Sequence, residues 1–221
     1  MITSAMEYVE AIEHLPAGGV LIFYEASWND YEQLLAQLGE GYAVRVSYDE
    51  GRLEIVSPSP KHEKYKDLLL HLARCVANET GGDMESLGST TFKRERRAQG
   101  AEPDACFYVQ HAAAVIGKDT IDLDVDPPPD VVVEIDIAHR STGKFSIYAG
   151  LGVPEIWRYD GRKAQIYRLQ EQGYVETATS DAFPVLTGEV LSQFIEKGKT
   201  VGQSAALQWL REWLRTRRPG K

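Results

Sequence analysis

The chain has 221 residues, of which 43% are hydrophobic, and it carries a formal net charge of −9. This length fits one large domain, and this hydrophobic content can bury a full-sized core, so the composition argues against a mainly disordered chain. The acidic balance argues against a nonspecific binder of polyanions. It leaves room for a nucleic-acid enzyme whose basic residues cluster around a site that holds a cation.

The cysteines and the N-terminal segment bear on location. Cys75 and Cys106 do not form a CxxC pair, and each lies in an apolar pattern. Buried free thiols suit a reducing compartment, so we expect a cytoplasmic protein. Residues 1–15 contain three glutamates and no apolar core, unlike a signal peptide. No apolar run approaches the roughly 20 residues of a membrane-spanning helix, so we expect no membrane partner.

In chain order, the first 40 residues predict two helices, over 4–15 and 27–38. Ser27, with Asp30 three residues later, is a weak capping signal for the second helix. Alternating apolar residues over 44–57, on either side of an Asp-Glu-Gly turn, predict a hairpin.

The middle of the chain begins with the clearest helical pattern, over 62–80, with Gly81 as its end. A second hairpin is predicted over 84–92 and a strand over 104–109. An acidic loop that ends in prolines follows over 116–129.

The central strand is predicted over 130–137, where three consecutive valines and two isoleucines indicate burial on both faces. A helix over 141–151 follows it. Three further strands are predicted over 155–159, 164–169 and 174–179.

The order of these elements predicts the fold class. Helices flank short strands without regular alternation, so we predict an α/β (α+β) fold with a mixed central β-sheet flanked by helices. The expected organisation is one domain over 1–221, with an N-terminal helical addition (1–40), a core (42–186) and C-terminal helices (188–218). Trp209 and Trp213 on the last helix suit a homodimer surface, and they suit packing inside the domain equally well.

Two carboxylates on the central strand need an explanation. Side chains alternate along a strand, so Glu134 and Asp136 share one face with Val132. Buried there without partners, each would cost several kcal/mol. A cleft, basic partners, a bound cation or a polar face beneath a loop would each account for them. Asp104, at the start of the preceding predicted strand, can converge with them on Mg²⁺ or Mn²⁺, which prefer oxygen ligands. An Asp after Pro is also common in turns.

Lys144 completes the predicted site. Phosphodiester hydrolysis needs a positive charge near the nucleophile in addition to a cation. Lys144 lies early in the helix after the central strand, so its side chain can swing back to the strand end. A solvated lysine on a helix face is the alternative.

Several segments together resemble a known family. They are Ser57-Pro58-Ser59-Pro60-Lys61-His62, Glu102-Pro103-Asp104, Pro129-Asp130-Val131-Val132-Val133-Glu134-Ile135-Asp136-Ile137, Lys144-Phe145-Ser146-Ile147-Tyr148 and Gly152-Val153-Pro154-Glu155-Ile156-Trp157-Arg158-Tyr159-Asp160. This pattern resembles the Uma-two family of restriction-type endonucleases, within the PD-(D/E)XK nuclease superfamily. The resemblance covers residues 42–186, and 130–160 is its most specific part.

The resemblance implies a mixed sheet flanked by helices and divalent-metal-dependent phosphodiester cleavage. Asp104 would fill the "PD" position and Glu134 the "(D/E)" position. Asp136 stands where the superfamily has a lysine, and Lys144 from the next helix is the candidate replacement. His62 belongs to the family pattern near the site, and Glu63 is a candidate for the acid that the first helix often contributes.

Other charged residues are weaker candidates. The densest basic segment is a candidate contact for the nucleic-acid backbone and comprises Lys93, Arg94, Arg96 and Arg97. A solvated turn explains it too. His139 and Arg140 directly follow the central strand and suit either phosphate contact or a loop that leads into a helix. Glu54 is explained by a solvated pair with Arg52 and is left outside the catalytic set.

We therefore predict a nuclease that acts on DNA with Mg²⁺ or Mn²⁺ held by Asp104, Glu134 and Asp136. Lys144 would stabilise the attacking hydroxide or the developing phosphate charge. The alternative is a catalytically silent nuclease-fold domain used for binding or assembly. The net charge of −9 and the missing lysine two residues after Glu134 favour that alternative.

Overall fold

The computed structural model describes residues 5–39, 42–137 and 141–217, and in these residues the chain forms seven α-helices and two β-sheets. The helices are α1 (Ala5–Glu13), α2 (Trp28–Leu38), α3 (Pro60–Thr80), α4 (Ala112–Val115), α5 (Phe145–Leu151), α6 (Gly188–Thr200) and α7 (Gln203–Arg217). The strands are β1 (Val20–Phe23), β2 (Arg45–Asp49), β3 (Arg52–Val56), β4 (Glu85–Gly88), β5 (Phe92–Arg94), β6 (Gln99–Ala101), β7 (Ala105–Tyr108), β8 (Val131–Ile135), β9 (Glu155–Tyr159), β10 (Ala164–Gln170) and β11 (Gly173–Thr177).

The larger sheet has six strands in the order β11-β10-β9-β8-β7-β4. Strands β8 and β9 pair in parallel, with Val131 opposite Glu155, and the remaining neighbours pair antiparallel. A parallel pair needs a crossover, which α5 supplies between β8 and β9. The predicted mixed sheet flanked by helices is therefore confirmed.

The smaller sheet has five antiparallel strands in the order β1-β3-β2-β6-β5. Its centre is the predicted hairpin of β2 and β3, and α1 and α2 pack with these strands around a separate cluster of buried residues. Ser27 caps α2 through a reciprocal pair of hydrogen bonds with Asp30, so the weak capping signal is confirmed. The two sheets meet where β6 leads into β7 through residues 102–104.

Strand β8 is buried on both faces, as its valine run predicts. Val131, Val133 and Ile135 pack into the main core cluster with residues of α3, α6 and α7. Val132 packs on the opposite face with residues of α5. This alternation places Glu134 on the α5 side of the sheet, the same face as Val132.

Two predictions about local structure are wrong. The segment 1–40, predicted to be helical, also contains β1, which pairs with β3 so that Val20 lies opposite Val56. Four apolar residues make too short a pattern to reveal a strand without its partner. The predicted hairpin over 84–92 is the other error, because β4 pairs with β7 in one sheet and β5 pairs with β6 in the other. The chain changes sheet between these strands.

Two further expectations concern burial, and one concerns membrane-spanning helices. Cys75 and Cys106 are both buried and free, as predicted. Trp209 and Trp213 pack against the main core cluster, which suits the intradomain alternative, and the homodimer stays a prediction. Across the described ranges, no helix has the length and apolar character required to cross a membrane.

Candidate active site

A small pocket lies where β8 ends, between the two sheets and the first turn of α3. Its charged or ionisable lining residues are Arg45, Glu54, His62, Asp104, Glu134, Asp136 and Lys144. Its volume is ≈ 30 Å³, room for about two water molecules. The structure therefore brings the four predicted catalytic residues together, although they come from three separate segments of the chain.

Glu134 is the most deeply buried acid of the pocket, with 2% of its surface exposed. Its two carboxylate oxygens lie 3.3 and 3.2 Å from Nζ of Lys144, which is 7% exposed. The Tyr148 hydroxyl donates a hydrogen bond to Oε1 of the same carboxylate. Burial raises the pKa of Glu134 to about 8, and the neighbouring Asp104 and Asp136 add to the effect, while Lys144 and Tyr148 oppose it.

Lys144 does swing back to the strand end, as predicted. Its ammonium also approaches the carbonyl oxygen of Glu102 at 3.4 Å. Burial lowers the pKa of Lys144, but the carboxylates of Glu134 and Asp104 outweigh burial and leave this pKa above its ordinary value. The ammonium is therefore a fixed, desolvated positive charge inside the pocket.

Asp104 is held against the edge of β8. Its Oδ2 accepts a hydrogen bond from the backbone N–H of Ile135 at 2.7 Å, and the residue is 8% exposed. This bond continues the pairing of β7 with β8 beyond the last paired residues, Ala105 and Val133. The Pro-Asp dipeptide is thus a strand-entry feature that carries a carboxylate into the pocket.

Asp136 lines the pocket with both of its carboxylate oxygens engaged in hydrogen bonds. Its Oδ2 accepts a hydrogen bond from Nε of Arg158 at 2.5 Å, and its Oδ1 accepts one from the backbone N–H of Ser141 at 2.8 Å. Burial lowers the pKa of Arg158, but the hydrogen bond and charge of Asp136 raise it by more. Asp136 lines the pocket while it is neutralised by a basic partner, which was one of the alternatives for this strand face.

The donor set suits a hard cation in its chemistry. Asp104 and Glu134 supply carboxylate oxygens, which Mg²⁺ and Mn²⁺ prefer. Within residues 5–39, 42–137 and 141–217, no three His, Cys, Asp or Glu side chains are arranged closely enough to hold a metal ion. The three-carboxylate site therefore stays a prediction, with Asp104 and Glu134 as its better placed members.

The first turn of α3 contributes one of its two candidates to the pocket. His62 is 5% exposed, lines the pocket, and has Nδ1 3.2 Å from Oγ of Ser59, the helix cap. The side chain of Glu63 is 44% exposed and pairs with Lys66 and Arg45. His62 therefore belongs to the pocket, and Glu63 lies outside its lining.

The basic segment 93–97 lies outside the lining of the pocket. Three of its four basic side chains bind other groups of the protein. Lys93 pairs with Glu32 at 2.7 Å, and Arg96 pairs with Asp124 at 3.0 Å. Arg94 donates to the carbonyl of Leu123 at 2.8 Å. Its contact with nucleic acid stays a prediction. His139 and Arg140 lie outside the described residues.

The sequence reasoning missed two charged residues that line the pocket and one tyrosine that hydrogen-bonds to Glu134. Glu54 does pair with Arg52, as expected, yet it also lines the pocket. Tyr148 follows Lys144 by four residues, the spacing that puts side chains on one helix face, and this signal was available in the sequence. Arg45 gave no signal, because its strand belongs to the other sheet.

Comparison with known proteins agrees with this architecture. The sequence profile of the Uma2 family, described as "Putative restriction endonuclease", matches residues 28–196. The chain belongs to the Uma2 family. The match includes every residue of the pocket, and it confirms the resemblance on which the site residues were chosen.

A solved structure supports the fold of this Uma2 chain. The crystal structure of a "putative nuclease belonging to DUF820" from Anabaena variabilis ATCC 29413 superimposes with a TM-score of 0.52 at 15% sequence identity. The alignment covers 76% of this chain and 98% of the other. At this identity the likeness shows the fold alone. None of the curated proteins compared with the chain matches it.

Proposed function

We propose that this Uma2 chain is a divalent-metal-dependent endonuclease that hydrolyses phosphodiester bonds of DNA. One observation carries the proposal: a buried lysine ammonium, Lys144, lies 3.2 Å from a buried carboxylate, Glu134, in a pocket that Asp104 also lines. Burying three ionisable groups together is costly for stability alone. Such costs are typical of sites where the charges act on a substrate.

Asp104 and Glu134 would hold Mg²⁺ or Mn²⁺. When bound, the cation supplies Lewis-acid polarisation of the phosphodiester and lowers the pKa of water. Lys144 would place its ammonium against the negative charge that develops on the phosphate or on the attacking hydroxide. Tyr148 would orient the carboxylate of Glu134 through its hydroxyl.

Asp136 remains the third candidate ligand for the cation. Its hydrogen bonds with Arg158 and Ser141 suggest that it contributes less to metal binding than the other two acids.

Isothermal titration calorimetry with Mn²⁺ tests this order of the three acids. Asp104→Ala and Glu134→Ala should weaken Mn²⁺ binding by roughly tenfold or more, and Asp136→Ala by less. Asp181→Ala is the control, because Asp181 is exposed and pairs with Arg168. Binding that neither Asp104→Ala nor Glu134→Ala changes would remove the metal site.

Lys144 is tested by cleavage of DNA substrates of varied sequence and strandedness with Mg²⁺, Mn²⁺ or EDTA. Lys144→Ala should keep the metal affinity but lower the cleavage rate by roughly 10²-fold or more, the scale of a lost electrostatic group. Lys144→Arg should rescue only part of the rate, because the guanidinium keeps the charge but not the compact ammonium. Cleavage by Lys144→Ala at the parent rate would refute the role.

The second candidate is a catalytically silent nuclease-fold domain. The ion pairs Glu134–Lys144 and Asp136–Arg158 favour it, because they neutralise two of the three acids within the protein. A parent protein that neither cuts DNA with any metal nor binds Mn²⁺ would establish this reading over the first.

A further inference from the structure

Arg45 brings a positive charge into the pocket from the smaller sheet. It is the first residue of β2, its side chain is 14% exposed, and it lines the same pocket as Asp104, Glu134 and Lys144. The smaller sheet thus contributes more than support for the pocket.

The described contacts leave one edge of this guanidinium without a close acceptor. Nη1 donates to the carbonyl oxygen of Val44 at 3.2 Å. Nη2 lies 3.6 Å from Oε1 of Glu63, which is longer than a hydrogen bond. Nε is buried and has no hydrogen-bond partner among the described residues. Nε and Nη2 lie on the same edge of a guanidinium, and that edge matches two oxygens of a phosphate group.

Glu63 is a weak partner for this edge of the Arg45 guanidinium. Its side chain is 44% exposed, and Lys66, one helical turn later, also pairs with it. An exposed carboxylate shared between two cations is a weak and easily screened partner. If another anion bound Arg45, Glu63 would still form its ion pair with Lys66.

The other two cations at the pocket differ from Arg45. Lys144 has Glu134 at 3.2 Å, and Arg158 has Asp136 at 2.5 Å. Each of these bases is matched to a buried acid on β8 or directly after it. Arg45 has the long contact to Glu63, which lies outside the pocket lining. Burial raises the pKa of Glu102, and a charge interaction with Arg45 opposes that rise. Neither acid accepts a hydrogen bond from the Nε–Nη2 edge of Arg45.

We propose that Arg45 binds a phosphate group of the DNA backbone through its Nε–Nη2 edge, and that Glu63 pairs with this edge only while DNA is absent. The inference rests on the proposed function for the nature of the substrate. It adds a substrate-binding residue from the smaller sheet to the pocket that Asp104, Glu134 and Lys144 line.

Fluorescence anisotropy with labelled single-stranded and duplex DNA, in EDTA and in Ca²⁺, measures this role without cleavage. Arg45→Gln should weaken binding by about tenfold or more, the loss expected for a charge-assisted pair of hydrogen bonds. Arg45→Lys should fall between the parent and Arg45→Gln, because lysine keeps the charge but not the fork. Arg74→Gln is the control: Arg74 is exposed and, like Arg45, donates to a backbone carbonyl, that of Met84. It lies about 18 Å further along α3 than His62, so its loss should change binding less than threefold.

Glu63→Gln tests whether Glu63 competes with DNA for Arg45 or only repels DNA as a nearby negative charge. In the parent it should tighten DNA binding, because the Arg45 edge loses its competitor. In the Arg45→Gln background it should have no effect, which a double-mutant cycle would report as coupling between the two residues. Equal tightening in both backgrounds would mean that Glu63 acts only as a nearby negative charge, and it would overturn the exchange of partners.

Cleavage kinetics and thermal unfolding distinguish this proposal from the nuclease proposal. If the protein cuts DNA, Arg45→Lys should raise KM more than it lowers kcat, with the melting temperature kept. If the parent binds DNA but cuts none, the nuclease proposal fails, and weaker binding by Arg45→Gln still supports the role of Arg45. A parent that binds no oligonucleotide, or an Arg45→Gln variant that binds as tightly as the parent, overturns it.

Discussion

At the scale of single residues, the burial of Glu134 has a consequence for pH. Burial raises the pKa of this carboxyl to about 8, so at neutral pH the metal-free protein holds a proton there. A cation needs the ionised carboxylate. We expect the Mn²⁺ affinity to rise with pH up to about 8 and to level off above it. A flat profile between pH 6 and 9 would contradict this assignment.

The same shift predicts a trend in stability. A carboxyl whose pKa is raised in the folded state contributes stability at pH values below its unfolded pKa, and the protein loses this contribution as pH rises through about 8. Glu134→Gln is neutral throughout, so in EDTA the free energy of unfolding of the variant minus that of the parent should rise from pH 5 to about 8 and then level off. Urea denaturation measures the difference, at about 1.4 kcal/mol for each unit of pKa shift at most. Asp181→Asn, at an exposed acid, should show no such trend.

At the scale of elements, the site depends on how the helices pack behind the larger sheet. Helix α3 carries His62 at one end and packs along α6, where a Cβ added to Gly198 would lie 2.5 Å from Cδ2 of Leu68. Leu68 is fully buried. The glycine therefore lets two helices approach closely.

We predict that Gly198→Ala destabilises the protein by about 1–3 kcal/mol through overpacking, reduced by up to about 1 kcal/mol because alanine favours the helix. Leu68→Val should offset much of that loss when the two changes are combined, since both act on one contact. Chemical denaturation of the two single variants and the double variant measures the coupling. Gly82→Ala is the control, since a Cβ there would meet its nearest atom at 3.9 Å. Additive effects at Gly198 and Leu68 would contradict the proposed contact.

At the scale of the whole molecule, the domain extends beyond the family match. The match ends at residue 196, while Ala206, Leu210 and Leu214 of α7 belong to the main core cluster. The predicted C-terminal helices are therefore integral to the core of this chain. The single-domain organisation over 1–221 stays a prediction.

The distribution of charge predicts how DNA binding depends on salt. Lys93 and Arg96 pair with Glu32 and Asp124, so the basic segment has less positive charge to offer than its sequence suggests. We expect that Lys93→Gln combined with Arg96→Gln changes the slope of log Kd against log salt by less than about one unit. A reduction of this slope by about two units would instead show that Lys93 and Arg96 contact the DNA backbone.

The sequence by itself determined the local features of this protein. The run of valines and isoleucines over 130–137 predicted that both faces of β8 are buried. Alternation along the strand predicted that Glu134 shares a face with Val132. The capping of α2 and the long helix α3 followed from patterns within a few turns of chain. The family motif predicted that Asp104, Glu134 and Lys144 would meet.

Tertiary structure alone decided which charges became partners. The pairing of Asp136 with Arg158 depends on β8 and β9 being parallel neighbours, and Arg45 and Glu54 reach the pocket because the smaller sheet packs beside the larger one. Periodicity specifies the face on which a side chain lies, but strand order and sheet packing specify what it meets. For the same reason the basic segment 93–97 was a candidate DNA contact in the sequence and is largely paired with other groups in the folded protein.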